Sequence, residues 1–256
     1  MSKFKEIKMS ESLLIAQVTD PHIRPSNISY RGVNVRQHFL KVLAVLAKKP
    51  LDLMVLSGDL ASVEGEPESY AWIKQALHDF PHPYILMAGN HDHVVRMMNA
   101  FDMPNTDEVT QGMLYFGRKI KGRQLLFLDS SPYRIAKEQL EWLENKFIDS
   151  NKPALLFIHH PPTICDCKFM DEHAVLQNID EVWKTLDRIP QIQHVFCGHY
   201  HADKTVIYND KFIHLTPSTA FQIDTETSHF IIKHTRPGWR IIEWKNKQVH
   251  THVEYL

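Results

Sequence analysis

Short apolar runs alternate with stretches of helical periodicity along the first three quarters of the chain. Leu14–Val18, Leu53–Leu56, Tyr84–Met87, Leu155–Ile158 and His194–Cys197 are brief, mainly apolar runs with the length and residue types of buried strands. Between the first two, Val35, Phe39, Val42, Leu43 and Leu46 recur at helical spacing, and Pro50 ends the helix they predict. Tyr70, Ile73, Leu77 and Phe80 predict a second helix over Glu68–Phe80. Leu140, Leu143 and Phe147 predict a third over Ala136–Ile148, and a fourth is expected over Asp180–Arg188. Met97, Met98, Trp72, Trp142 and Trp183 sit at helical positions and are expected to serve packing. From Thr205 the pattern changes to strands alone. Thr205–Tyr208 and Lys211–Leu215 flank Asn209-Asp210, residue types that suit a two-residue hairpin turn. Phe230–His234, Trp239–Trp244 and Gln248–Val253 continue the series. Alternating strands and helices followed by hairpins predict an α/β fold of two packed β-sheets flanked by helices. No repeat, low-complexity tract or Gly/Ser linker interrupts the chain, so residues 1–256 are expected to form a single domain.

Composition narrows the class only a little. Apolar residues make up 43% and charged residues 23%, ordinary for a globular protein, and the formal net charge is −1. That balance supplies no global basic field, so nucleic acid is not an expected partner, although a local basic groove stays open. Cys165, Cys167 and Cys197 are too few for a disulfide framework and read as free thiols. Lys3, Lys5 and Lys8 precede no apolar segment of signal-peptide length, and no apolar run approaches a membrane span. The expected location is the cytoplasm.

The chemistry sits at the strand ends. The five runs are followed by Asp20-Pro-His22, Gly58-Asp59, Gly89-Asn90-His91-Asp92, His159-His160 and Gly198-His199-Tyr200-His201. Ligands of open α/β sheets bind outside the carboxyl ends of the strands, so these clusters are expected to converge. A lone Gly-Asp after a strand is usually a turn. Five such clusters in order are the pattern of a two-metal hydrolytic site. Asp20 and His22 form D-x-H, Asp59 has two oxygens that can bridge two cations, and Asn90 offers an amide oxygen without added charge. His159, His199 and His201 offer imidazoles suited to Fe, Mn or Zn.

The set D-x-H, G-D, G-N-H-D, H-H-P-P and G-H-x-H resembles the calcineurin-like metallophosphoesterases from Asp20 to His201. The resemblance implies a double β-sandwich flanked by helices in four layers and two divalent or trivalent ions. One ion would take Asp20, His22, Asp59 and His201; the other would take Asp59, Asn90, His159 and His199. His22, Asn90, His91 and His201 would face the substrate. His91 would act at the phosphate as a catalytic group, with Asp92 orienting it through the other ring nitrogen. His160 is expected to pack rather than to catalyse.

A finer resemblance is to class III cyclic-nucleotide phosphodiesterases, in particular the bacterial enzymes that hydrolyse 3′,5′-cyclic AMP. Beyond the metal motifs it rests on Leu215-Thr216-Pro217-Ser218-Thr219 and Arg236-Pro237-Gly238-Trp239-Arg240. The implied reaction is hydrolysis of 3′,5′-cyclic AMP to 5′-AMP by attack of a metal-bound hydroxide, bridging or terminal. A glycerophosphodiester, a nucleotide pyrophosphate or a phosphomonoester is the alternative substrate. Phe221 and Gln222 are candidates for contact with a purine. The segment from Cys165 to Met170 reads as a surface loop, with a lip over the site or a C-x-C metal pair as weaker readings. A catalytically dead scaffold is disfavoured because every expected ligand is present.

Overall fold

The computed structural model describes residues 12–26, 28–103 and 112–256, together with the backbone of Val109 and Thr110. Lys3, Lys5 and Lys8 lie outside the described residues. The first part of the chain forms β1 (Leu13–Val18), α1 (Val35–Leu46), β2 (Leu53–Ser57), α2 (Pro67–Ala76), β3 (Tyr84–Met87) and α3 (Val94–Ala100). There follow β4 (Val109–Thr110), β5 (Met113–Leu114), β6 (Phe116–Ile120), β7 (Arg123–Leu128), α4 (Lys137–Asn145) and β8 (Ala154–Ile158). Next come α5 (Lys168–His173), α6 (Ile179–Leu186), β9 (Ile192–Cys197), β10 (Lys204–Tyr208) and β11 (Lys211–Leu215). The last strands are β12 (Gln222–Ile223), β13 (Ile232–His234), β14 (Gly238–Lys245) and β15 (Gln248–Tyr255).

Two mixed sheets carry the fold, in the orders β15-β14-β1-β2-β3 and β10-β11-β9-β8-β7-β6. Strands β1, β2 and β3 run parallel in the first sheet, and β7, β8, β9 and β11 run parallel in the second. Helices flank the sheets, which gives the four-layer α/β arrangement. The sheets meet through a buried polar link. Gln17 in β1 donates to Ser57 Oγ at 2.9 Å and to the Cys197 carbonyl at 3.4 Å, and accepts from Thr216 Oγ1 at 2.6 Å. Those bonds satisfy every polar group the amide brings into the interior.

The helices follow their apolar faces. Asn34 caps α1 by accepting from the Gln37 amide at 3.0 Å, and Val35, Phe39, Val42, Leu43 and Leu46 are its buried face. α2 stops at Ala76, short of Phe80, because the chain tightens into three-residue turns from His78 to Gln75 and from Phe80 to Leu77. α4 is likewise shorter at both ends than its apolar periodicity predicts. Asn209 and Asp210 both adopt positive φ, +44° and +60°, as the tight β10–β11 hairpin requires.

Several elements lie outside the sequence expectations. α5 replaces an expected loop, the β6–β7 hairpin supplies an edge of the second sheet, and the short strands β4, β5 and β12 were not expected. α3 gives Met97 and Met98 the helical packing place expected of them. The C-terminal strands also divide. β10 and β11 extend the second sheet, whereas β14 pairs antiparallel with β1 in the first.

Candidate metal centre

Both sheets present the carboxyl ends of their parallel strands to one cleft, and the loops there are tied to each other. Asp20 N donates to Gly58 O at 3.0 Å, His22 N to Asp59 O at 3.0 Å, and Gly198 N to His159 O at 3.0 Å. Asp20, His22, Asp59, His199 and His201 all have φ between +45° and +63°. Non-glycine residues rarely adopt this region, and each such residue costs about 1–3 kcal/mol. The concentration of that strain at five candidate ligands marks the cleft as functional.

Asp20 has one carboxylate oxygen held and one aimed inward. Its Oδ2 accepts from Thr19 Oγ1 at 2.6 Å and from His199 N at 3.0 Å. Its Oδ1 has no hydrogen-bond partner and lies 3.3 Å from His201 Nε2. The Nε2 atoms of His22 and His201 face each other at 3.0 Å. Two nitrogens each ~2.0–2.1 Å from one cation would stand roughly 3–3.5 Å apart, close to this separation. Asp20, His22 and His201 thus converge as one potential cation site.

A second cluster contains Asp59, His159 and His199. Asp59 joins the two: its Oδ1 is 3.3 Å from His159 Nε2 and its Oδ2 is 3.7 Å from His22 Nε2. Asn90 Oδ1 and His159 Nε2 are buried without hydrogen-bond partners. Buried polar atoms left unpaired are costly, so the orphaned oxygens of Asp20 and Asn90 in one cleft fit a group of positive charge, which the proton on His159 supplies when no cation is bound. A third cluster brings His91 within reach of His22 and Asp59.

Backbone carbonyls set the imidazole tautomers. His159 donates from Nδ1 to Ser57 O at 2.8 Å, and His201 from Nδ1 to Phe221 O at 2.9 Å, which leaves Nε2 of each ring for a ligand. His199 is reversed; its Nε2 donates to Ala174 O at 2.9 Å and Nδ1 carries the lone pair. Burial pushes the pKa of His22 down to about 3 and, with His159 beside it, that of His199 down to about 4. Both rings are therefore neutral and able to ligate. Burial alone would raise the pKa of Asp20, but His201 and His159 hold it at about 2. His159 is pushed up to about 9, because the Asp59 and Asp20 carboxylates outweigh its burial. The two acids thus draw positive charge into the centre.

Asp92 departs from its expected role. His91 donates from Nδ1 to the Val63 carbonyl at 3.1 Å and not to Asp92. The Asp92 carboxylate instead accepts from the amides of Leu60, Ala61 and Gly89 and from Tyr70 Oη, at 2.9–3.0 Å. These four donors consume both oxygens, so Asp92 clamps the Asp59 loop to the Gly89 loop. It positions Asp59, whose Oδ1 in turn accepts from the His91 amide at 2.9 Å.

His160 is buried, its Nδ1 meets Ser130 Oγ at 2.8 Å and its ring lies 4.1 Å from that of His199, while its Nε2 has no hydrogen-bond partner. Ser130 follows β7, and the apolar run Leu125–Leu128 ahead of Asp129-Ser130 is the signal that would have placed it there. The Cys165–Met170 segment is a wall of the cleft and not a surface loop. Asp171 accepts from the Cys165 and Cys167 amides and from Tyr200 Oη, folding the segment over so that Phe169 and Met170 face the site. The thiols of Cys165 and Cys167 are buried, free and directed at carbonyls, and no metal cluster among the described residues includes them. Gln222 is unavailable to a purine, since its amide is spent on Ser218 N, Ser218 O and Arg236 O. Phe221 does line the cleft, as do Tyr30, Arg31, Tyr133 and Phe230, none of which carries a motif signal.

The cleft encloses about 290 Å³, near the ~300 Å³ lower end for small-molecule sites. A larger groove of about 520 Å³ is lined by Lys119, Lys121, Arg123, Lys146, Lys152 and Trp244. It is a local basic groove, but it contains none of the carboxylate–imidazole clusters. Among the described residues no helix is long and apolar enough to cross a membrane.

Strained acids and imidazoles at the ends of two parallel-stranded sheets define a phosphoesterase of the metal-dependent kind. The calcineurin-like phosphoesterase family model matches residues 13–203, and the chain belongs to that family. It is 37% identical over 243 residues to a Fibrobacter succinogenes protein named a probable cyclic nucleotide phosphodiesterase, covering 95% of this chain and 94% of that one. It is 29% identical over 238 residues to the Escherichia coli K12 3′,5′-cyclic adenosine monophosphate phosphodiesterase CpdA, covering 90% and 84%. It is also 31% identical over 223 residues to the glycerophosphodiester phosphodiesterase GpdQ of Enterobacter lignolyticus, covering 82% and 79%.

Proposed function

We propose that this enzyme hydrolyses 3′,5′-cyclic AMP to 5′-AMP at a two-ion centre. Asp20, His22, Asp59 and His201 would hold one ion, and Asp59, Asn90, His159 and His199 the other. The observation that carries the two-ion reading is the split of the Asp59 carboxylate, one oxygen toward His159 and the other toward His22. The cyclic-nucleotide reading is supported by the similarity to the Fibrobacter and Escherichia cyclic-nucleotide phosphodiesterases and by the C-terminal segments around Thr216 and Trp239.

When bound, the two cations activate a water and draw charge from the phosphoryl oxygens. The chain's part is to place and hold the reacting groups. Water oxygen bonds to phosphorus as the water gives up one proton, and the bond from phosphorus to O3′ breaks. O3′ takes one proton in exchange, so that 5′-AMP keeps both hydrogens of the water. His91 is the group for that last task, since its Nδ1 is fixed on Val63 O and its Nε2 is left for the cleft. The carbonyls of Ser57, Phe221 and Ala174 keep the ligating rings from rotating. Their hold costs nothing at the moment of reaction, because the geometry exists beforehand.

Product analysis tests the substrate. The purified, Mn²⁺-supplemented protein is incubated with 3′,5′-cyclic AMP, 2′,3′-cyclic AMP, glycerophosphoethanolamine and AMP. Metal-dependent formation of 5′-AMP from the 3′,5′-cyclic nucleotide, well above turnover of the others, is expected. Good cleavage of glycerophosphoethanolamine alone would instead favour the substrate named for the Enterobacter relative. Replacement of His91 by Ala is expected to lower kcat by roughly 10²–10⁴-fold with metal content unchanged. Loss of an ion from that variant, read by elemental analysis, would make His91 a ligand.

A further inference from the structure

Beside the charged centre the cleft has an aromatic wall that chemistry at phosphorus does not use. The Tyr30 ring stacks on His22 with centroids 5.1 Å apart. Phe221 lies 5.9 Å from Tyr30 and 4.9 Å from His201, and Phe230 stands edge-on to Phe221 at 6.1 Å. The Arg31 guanidinium sits 4.2 Å from the Phe230 centroid and 5.7 Å from that of Tyr30. All four residues line the same cleft as His22, Asn90 and His91.

The wall is held in place before any ligand arrives. Tyr30 and Val33 exchange both backbone hydrogen bonds at 2.9 Å around Arg31-Gly32. Those two turn residues have φ of +50° and +82°, the paired left-handed conformation of a tight reversal. Phe221 is anchored through its carbonyl, which accepts from the ligand candidate His201. Preorganised groups lose little entropy on binding.

Packing accounts for Phe221, which is buried in the core at the back of the wall. Tyr30 and Phe230, however, are only half-buried, Arg31 is exposed, and these three border open space. Arg31 forms no ion pair with a carboxylate among the described residues. Flat rings and a planar guanidinium beside a phosphoryl site present faces that a planar, aromatic ligand can cover. A glycerol or amine headgroup has no such face.

We propose that Tyr30, Phe221 and Phe230, with Arg31 at the mouth, form a subsite for the planar base of a nucleoside phosphodiester. The proposal deepens the phosphodiesterase reading and rests on it: the charged centre takes the phosphate, and the wall selects for the base. Stacking of a base on an aromatic ring is worth roughly 5- to 150-fold in affinity.

Calorimetric titration of the Mn²⁺-loaded protein with 5′-AMP and with ribose 5-phosphate tests the wall apart from turnover. AMP is expected to bind at least tenfold more tightly than ribose 5-phosphate. Tyr30→Leu and Phe230→Leu are each expected to shrink that ratio at least fivefold. In kinetics, both variants should lose more kcat/KM on 3′,5′-cyclic AMP than on glycerophosphoethanolamine, chiefly through KM. Equal binding of the two phosphates, or a ratio that neither variant moves, overturns the base subsite. Base-dependent binding of AMP together with no cleavage of any nucleoside phosphodiester keeps the subsite and overturns the cyclic-AMP reading of the reaction.

Discussion

Asp59→Ala is expected to abolish phosphodiesterase activity, with kcat/KM down by at least about 10³-fold, and to release both ions. The size of the effect follows from the position of the carboxylate. One oxygen faces His159 and the other faces His22, so a single truncation removes a candidate ligand atom from the side of each. It also leaves the His91 amide without its acceptor. Elemental analysis of the dialysed variant should find well under one ion per chain, with an unchanged far-ultraviolet dichroism spectrum. Retention of one tightly held ion would mean that the two clusters are independent and that Asp59 is no bridge. Asp59→Asn is the sharper companion. It keeps the shape and one acceptor oxygen but removes the charge, so activity should remain low.

Gly89→Ala is the second large effect. A Cβ at this position would press on the Asp59 carboxylate and backbone amide, and would stand 2.7 Å from His159 Nε2. None of these atoms is the free end of a flexible chain. Asp59 is buried and bonded, His159 is fixed on Ser57 O, and Asp92 ties Gly89 N to the Asp59 loop. The methyl group therefore enters the space between two ligand candidates. Activity should fall at least about 100-fold, with loss of the ion nearer His159 and a stability cost of about 1–3 kcal/mol from overpacking. Metal titration and urea unfolding measure the two components. Wild-type metal affinity in this variant would show that the Gly89 loop can move aside and that the centre is not tightly packed.

Much of this centre is legible along the chain because its parts carry strong local signals. A single Gly58-Asp59 reads as a turn, but five clusters of acid, amide and imidazole residues in order, each directly after an apolar run, stand out along the chain. What escaped has no such signature. The Ser57, Ala174 and Phe221 carbonyls that orient the imidazoles are backbone atoms and can belong to any residue type. Asp92 looked like a partner for His91 because it is next to it in sequence, yet its side chain turns to amides of the Asp59 loop. Gln222 seemed free to meet a purine, but a buried amide must satisfy its own hydrogen bonds, and the Ser218 and Arg236 backbone groups take them.

The five strands that end in the polar clusters, the helices around Phe39 and Leu143, and the acid, amide and imidazole residue types at the strand ends were legible in the sequence alone. Burial imposes a short period on the pattern, and metal chemistry restricts the residue types. Which strand lies beside which, and which atoms meet, was decided only in three dimensions. β14 returns from the far end of the chain to pair with β1, and the His199 amide reaches Asp20 Oδ2 across 179 residues. The aromatic wall joins Tyr30 to Phe221 and Phe230 in the same way. Contacts of that kind depend on the packing of two whole sheets, and no window along the chain contains both partners.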